Sequence, residues 1–90
     1  MDNLDREDFA YFQIAASEAL RAGCEESLDR DAREDYFHEA AKWAAKAFVS
    51  ARENVFARFL AMSQFQSAWG QILLCRSNYD AVVIRVEQPH

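Results

Sequence analysis

The feature that most constrains this chain is a long stretch, from Ala32 to Trp69, that contains neither glycine nor proline. These two residues most often interrupt helices and form turns. The whole chain of 90 residues has only two glycines and one proline, too few for the many turns of a β-rich fold. The sequence therefore predicts an all-α fold, and its length predicts a single helical domain over residues 1–90.

A first helix is predicted over about residues 5–22. Asp5 or Asn3 can cap its N-terminus. Its apolar side chains follow at steps of three and four residues, which place them on one stripe of the helix. These are Phe9, Phe12, Ala16 and Ala19. Gly23 comes next on the stripe, and a glycine in the left-handed conformation is a common helix terminator.

A second helical region is predicted over about residues 29–76, where Asp31 and Glu34 have the spacing of a capping box. Its apolar positions follow one another at steps of four and three residues, as in a heptad seam. These positions are Phe37, Ala41, Ala44, Phe48, Ala51 and Val55. After Val55 the apolar residues continue on a different stripe, which is a change of phase. The phase change allows one very long helix or a break near residues 50–54, where Ser50 and Glu53 could cap a new helix. The prediction is a small bundle of two or three helices. The break is favoured because a single long helix would leave much apolar surface uncovered.

The end of the chain has a different composition. Residues 81–86 are mostly β-branched, follow a turn-like sequence and precede Pro89. This pattern predicts a short C-terminal extended segment. A lone strand cannot satisfy its own backbone, so the segment would pack along the bundle, pair with its copy in a dimer or add to a partner's sheet.

Charge is distributed unevenly. Residues 1–45 hold twelve acidic and five basic side chains, whereas residues 46–90 hold three and five, and the net charge is −5. An acidic half disfavours direct binding of nucleic acid or an anionic membrane, and it suits a basic protein surface. The uncharged segment from Phe59 to Cys75 is too short and too rich in serine and glutamine to span a bilayer.

Cysteine usage and the N-terminal sequence predict the compartment. Cys24 and Cys75 are far apart, with neither a metal-binding nor a redox-motif spacing. The N-terminus is acidic and lacks the apolar run of a secretory signal. A reduced, cytoplasmic protein is therefore expected.

No pattern of a self-contained catalytic or cofactor site is found, because the chain has no serine–histidine–aspartate set, phosphate loop or zinc-ligand spacing. We therefore expect a protein that is not an enzyme and that uses no cofactor. His38 shares a helical face with Glu34 and Asp35, a spacing that can contribute to a metal site. No second ligand cluster accompanies it, and no bound metal is expected.

Arg33 and His38 are separated by four residues. This spacing resembles the Arg-x4–6-His motif of the HEPN ribonucleases. The resemblance implies a helical, dimeric ribonuclease in which Arg33 and His38 act on the scissile RNA phosphate. The carboxylates of Glu34 and Asp35, which lie between the two residues, would instead repel an RNA backbone.

Aromatic side chains carry the strongest functional signal. Most of them are expected to fill the bundle core, but they occupy more than one stripe, and the first helix can cover only one. The uncovered stripe predicts a homodimer or partner surface with aromatic anchors. The expected contributors are Tyr36, Trp43, Phe56, Phe59, Phe65 and Trp69.

Two functional hypotheses follow. The first is a non-enzymatic protein–protein interaction module, an adaptor, chaperone or regulator, that self-associates through its aromatic-rich helical face. The alternative is a small acidic phage-type inhibitor, similar in size and charge to anti-CRISPR proteins, that occupies a basic nucleic-acid-binding surface in place of phosphates. The carboxylates for that role are Asp29, Asp31, Glu34, Asp35 and Glu39. Binding that weakens steeply with salt favours the alternative, whereas salt-resistant binding favours an apolar interface.

Overall fold

The computed structural model describes residues 6–87, and it describes side chains over residues 6–77. It contains three helices, α1 (Arg6–Gly23), α2 (Arg30–Ala51) and α3 (Val55–Glu87). The predicted all-α bundle is confirmed. The break predicted near residues 50–54 is also present, between the end of α2 and the start of α3. The proposed caps Asn3 and Asp5 lie outside the described residues.

The C-terminal extended segment predicted for residues 81–86 is wrong, because these residues continue α3 to Glu87. β-branched residues have only a slightly lower helix propensity than most others. Once a helix has formed, each added residue gains a hydrogen bond without a new nucleation step. A lone strand would have left its backbone groups unpaired. Helix propagation therefore outweighs the local β preference.

The capping residues of α2 and α3 differ from those predicted. The side chain of Asp29 accepts a hydrogen bond from the backbone N–H of Ala32 at 2.8 Å, so Asp29 caps α2 in place of Asp31. The side chain of Asn54 accepts one from the backbone N–H of Ala57, also at 2.8 Å, and so caps α3 in place of Ser50. Each such cap contributes about 1 kcal/mol to helix stability.

Helix α2 is the central element. It packs extensively against both α1 and α3, whereas α1 and α3 touch each other only slightly. One direct link between the outer helices is the side-chain amide of Gln64. Its Nε2 donates to the backbone carbonyl of Gln13 at 3.0 Å and to Ser17 Oγ at 2.8 Å. Because the outer helices cover little of each other, each keeps a broad exposed face.

The core is built mostly from alanine. Among the described side chains, only Phe37 and Ile72 are both large and fully buried, and most other buried positions are alanines on all three helices. The expectation that most aromatic residues fill the core is wrong, since none of the aromatic side chains from Trp43 to Trp69 is fully buried. Small side chains allow helices to pack closely, which leaves no room between them for bulkier ones. The larger side chains therefore lie at the edges or on the surface.

The connection between α1 and α2 is held by Gly23, Arg33 and Phe37. Arg33 Nε donates a hydrogen bond to the carbonyl oxygen of Gly23 at 2.9 Å, which joins the end of α1 to the start of α2. Gly23 is the last residue of α1, but the left-handed conformation predicted for it is wrong, because its φ is not positive. The glycine is required for another reason: a Cβ atom there would lie 2.6 Å from Cε1 of the Phe37 ring.

The connection between α2 and α3 contains a strained residue. Arg52 has φ 53° and ψ −118°, the geometry of the first central position of a type II′ turn. The backbone N–H of Asn54 donates to the carbonyl of Ala51 at 3.0 Å and closes this turn. Glycine adopts this conformation readily, whereas a residue with a side chain is strained by about 1–3 kcal/mol.

Replacing Arg52 with glycine is therefore expected to stabilise the protein by about 1 kcal/mol, after allowance for the greater freedom of glycine in the unfolded chain. Thermal unfolding followed by circular dichroism at one fixed protein concentration measures the effect, as a rise in Tm of about 4–8 °C. The matched control is Glu53→Gly, since Glu53 is exposed and its φ is not positive. That variant is expected to lower Tm. An equal decrease in both variants would show that Arg52 is not strained.

Candidate protein-binding surface

Most of the large exposed apolar side chains in the described part of the chain lie on α3. Seven of them are on this helix, with exposures from 37% at Trp69 to 79% at Val55. We call the surface of these side chains the α3 face. Its members are Val55, Phe56, Phe59, Met62, Trp69, Leu73 and Leu74. Between them lie exposed polar but uncharged or small residues, namely Ser63, Gln66, Ser67 and Gly70.

Most of the α3 face is uncharged, because no aspartate, glutamate, lysine or arginine occurs from Phe59 to Cys75. The arginines that border this stretch, Arg58 and Arg76, make contacts with α2. Arg58 lies over the ring of Phe48 with its guanidinium carbon 4.7 Å from the ring centroid, and Arg76 Nε is 3.3 Å from a carboxylate oxygen of Glu34. A solvent-exposed helix face with no charged residue over several turns is unusual, since such faces normally carry charged and polar side chains.

Gly70 lies in the middle of α3, next to the α3 face. Outside its own helical turn, no described atom would lie within 4 Å of a Cβ atom built there, and its φ is not positive. A glycine inside a helix is less stable than alanine by about 0.5–1 kcal/mol. Nothing within the described protomer offsets this cost, in contrast to Gly23, where the Phe37 ring requires the glycine.

The aromatic residues expected at a partner surface fall into two separate groups. Phe56, Phe59 and Trp69 belong to the α3 face. Phe65 is half-buried and packs against the alanine core between α2 and α3, with its ring centroid 6.4 Å from that of Trp69. Phe65 therefore packs beneath the α3 face and is not one of its exposed members.

Tyr36 and Trp43 lie elsewhere, on the side of α2 that packs against α1. Trp43 is half-buried and stacks on Phe12, with ring centroids 5.8 Å apart. The Nζ atom of Lys46 lies 4.7 Å from the centroid of the Trp43 ring, a cation–π geometry. Tyr36 is 42% exposed. The two aromatic groups therefore do not form one continuous surface.

The acidic residues expected at a basic partner are only partly brought together. Asp35 and Glu39 line a groove between α1 and α2, with a volume of about 600 Å³, together with Glu18, Tyr36 and Trp43. Asp29 and Asp31 are exposed near the start of α2, where Asp29 also caps the helix and Asp31 pairs with Arg30 at 3.2 Å. Glu34 is turned to the other side of α2 and bonds to Arg76. The carboxylates therefore form no single continuous face.

The two residues of the ribonuclease-like motif both lie on α2, but their side chains contact different helices. Arg33 bonds to the carbonyl of Gly23 at the end of α1. The His38 ring packs edge-on against Trp69 of α3, with centroids 5.3 Å apart. The structure does not bring the guanidinium and the imidazole to one point where a phosphate could contact both.

Three further observations concern metals, membranes and thiols. Among the residues whose side chains are described, no group of three or more histidine, cysteine or carboxylate side chains has a geometry that could hold a metal ion. None of the helices, over the residues described, is long and apolar enough to cross a bilayer. Cys24 is exposed and Cys75 is half-buried, and both are free thiols.

Several members of the α3 face were missed by sequence reasoning, namely Val55, Met62, Leu73 and Leu74. A signal for some of them was present. Val55, Phe59, Met62, Gln66, Trp69 and Leu73 follow one another at steps of four, three, four, three and four residues. This is a heptad pattern. It was obscured by a second pattern on α3, through Phe65 and Ile72, which faces α2.

Comparisons with protein-family models, curated proteins and solved structures found no match to this chain. The α3 face and the acidic groove are therefore interpreted from their own chemistry.

Proposed function

We propose that this protein is a non-enzymatic helical module that binds another protein through the α3 face, in the manner of an adaptor, chaperone or regulator. One observation carries the proposal: seven large apolar side chains, three of them aromatic, are exposed on α3, and the helix has no charged residue from Phe59 to Cys75. Burial of such surface is the dominant favourable term in protein–protein association. Aromatic residues are also enriched among the anchors that dominate binding energy.

The size of the α3 face supports this proposal. A large side chain exposes on the order of 150–200 Å² when fully accessible, so the seven side chains together present roughly 700 Å². The largest apolar patch on a typical monomeric protein is about 300–600 Å², and larger patches usually mark interaction sites. The α3 face is thus larger than solubility alone would favour. The free thiol of Cys24, which is exposed, fits a reducing compartment such as the cytoplasm.

A second candidate function is favoured by the groove between α1 and α2. The carboxylates of Glu18, Asp35 and Glu39 line it beside the rings of Tyr36 and Trp43. Carboxylates next to aromatic faces suit the cationic side chains of a basic protein. An acidic inhibitor of a nucleic-acid-binding protein would use this surface. It ranks second because Lys42 and Lys46 lie 5.9 and 4.7 Å from the centroid of the Trp43 ring, where a basic partner would meet like charge.

Site-specific photo-cross-linking in the native host tests the proposal. A photoreactive benzoylphenylalanine is placed singly at Phe59 on the α3 face, at Tyr36 in the acidic groove, or at Ile14 on α1. Ile14 is the matched control because it is 58% exposed, close to the 66% of Phe59. We expect protein adducts from position 59 well above those from position 14, and we expect them to persist in high salt.

The outcomes separate the two candidates. Adducts from position 36 alone, lost as salt is raised, would favour the acidic inhibitor. If position 59 gives no more adduct than position 14, the α3 face does not bind a protein and the proposal fails.

A further inference from the structure

We propose that the α3 face is covered by the α3 face of a second copy of this chain, with the two helices antiparallel. In the inferred register, Val55 lies opposite Leu73 of the second copy, Phe59 opposite Trp69, and Met62 opposite Gln66. A two-fold axis passes beside the middle of this segment. The inference rests on the proposed function, because it names the partner that the α3 face binds.

The spacing of the exposed residues is that of a coiled-coil seam. Positions 55, 59, 62, 66, 69 and 73 follow the heptad steps, and the side chain at each of them is exposed in the protomer. A seam of this kind is covered when a second helix with the same repeat packs along it. The antiparallel register pairs each of the six positions with another of the six, so no member of the seam is left uncovered. A two-fold interface requires this kind of self-complementarity.

The available area agrees with a second copy as the occupant. A standard protein–protein interface buries about 800 Å² on each partner. The α3 face presents roughly 700 Å² from its seven large side chains, and the small and polar residues between them add to this. Because the face carries no charged residue from Phe59 to Cys75, two copies can approach without opposing like charges.

Gly70 and Phe56 provide a large–small complementarity in this arrangement. They flank the seam on the same side of α3, at equivalent heptad positions two repeats apart. In the antiparallel register, Phe56 of one copy lies near Gly70 of the other. The space beside Gly70, which no described residue outside its own helical turn fills, would then receive the Phe56 ring. The exposed glycine is explained by close approach of the second helix.

Light scattering and sedimentation of the full chain over a range of concentrations test self-association. We expect a dimer in high salt. Phe59→Lys is expected to raise its dissociation constant about 100-fold. Ile14→Lys, at a similarly exposed position on α1, is expected to leave it unchanged. Gly70→Leu fills the space assigned to Phe56 and is expected to weaken the dimer about tenfold without loss of helicity.

Disulfide trapping tests the orientation, with Cys24 and Cys75 first replaced by serine. Val55→Cys and Leu73→Cys are made as separate proteins, and each is oxidised alone or after the two have been mixed in denaturant and refolded together. Antiparallel packing is expected to give a covalent dimer from the mixture only, because position 55 faces position 73. A covalent dimer from Leu73→Cys alone would show parallel packing and overturn the inference.

The failure of this inference can be told apart from failure of the proposed function. A chain that stays monomeric at every concentration, while position 59 still cross-links to a protein of different mass in the host, overturns self-pairing and leaves the proposed function intact. A monomer with no adduct from position 59 overturns both.

Discussion

Replacing Phe37 with alanine is expected to lower the free energy of unfolding by about 3–5 kcal/mol, the largest effect of any single truncation among the described side chains. Phe37 is one of only two large side chains that are fully buried among those described, and the rest of the core is mostly alanine. Alanine, which makes up most of the rest of the core, has no side-chain atoms that can extend into the space left by the ring, so the variant bears the full cost of the cavity. Domains of this size have a total stability of about 5–15 kcal/mol.

Urea denaturation at one fixed protein concentration measures this loss. The matched control is Tyr36→Ala, which removes an aromatic ring from the adjacent residue, where 42% of the side chain is exposed. We expect the control to lose about 1 kcal/mol or less, as is usual for surface positions. Equal losses in the two variants would show that the Phe37 ring does not hold the junction of α1 and α2.

Replacing Gly23 with alanine is expected to destabilise the protein by about 1–3 kcal/mol, although alanine is the better helix former. The added methyl group would lie 2.6 Å from one carbon of the Phe37 ring and 2.9 Å from two others. Because Phe37 is fully buried, its ring cannot move away without disturbing the packing around it. The sign of this stability change distinguishes the two causes. A clash with the ring destabilises the protein, whereas replacing a flexible glycine with alanine would by itself stabilise the helix.

A double-mutant cycle tests the origin of this effect. In a background that carries Phe37→Leu, the ring is gone, and Gly23→Ala is expected to cost little or to stabilise the protein. Gly70→Ala, measured in dilute protein, is the matched control, because outside its own helical turn a methyl group there meets no described atom within 4 Å. It is expected to stabilise by about 0.5–1 kcal/mol. The same loss for Gly23→Ala with and without the Phe37 ring would rule out the clash.

Much of the fold could be predicted from local sequence. Apolar spacing and the lack of glycine and proline correctly indicated a helical bundle, and the phase change near Val55 correctly indicated a break. The capping residues were harder, because Asp29, Asp31 and Asn54 all have suitable side chains. Only the backbone geometry decides which of them accepts the N–H groups of the first turn. The segment at residues 81–86 was misread because propensity is a weak local preference that a preceding helix can override.

The candidate surface was predicted only in part. Phe56, Phe59 and Trp69 are all exposed on α3. Tyr36 and Trp43 were grouped with them, but they lie against α1 on another side of the bundle. A periodic pattern shows that two residues share a stripe of one helix, but not which neighbouring helix covers that stripe.

The sequence by itself determined that the chain forms helices and that it has more large apolar side chains than a small bundle can bury. Only the tertiary structure decided which stripes are covered. The alanine stripes pack together because small side chains allow the closest helix–helix contact, and this leaves the aromatic and aliphatic stripe from Val55 to Leu74 facing outward. Helix formation depends on neighbours along the chain, whereas the choice of packing partner depends on how whole faces fit together in space.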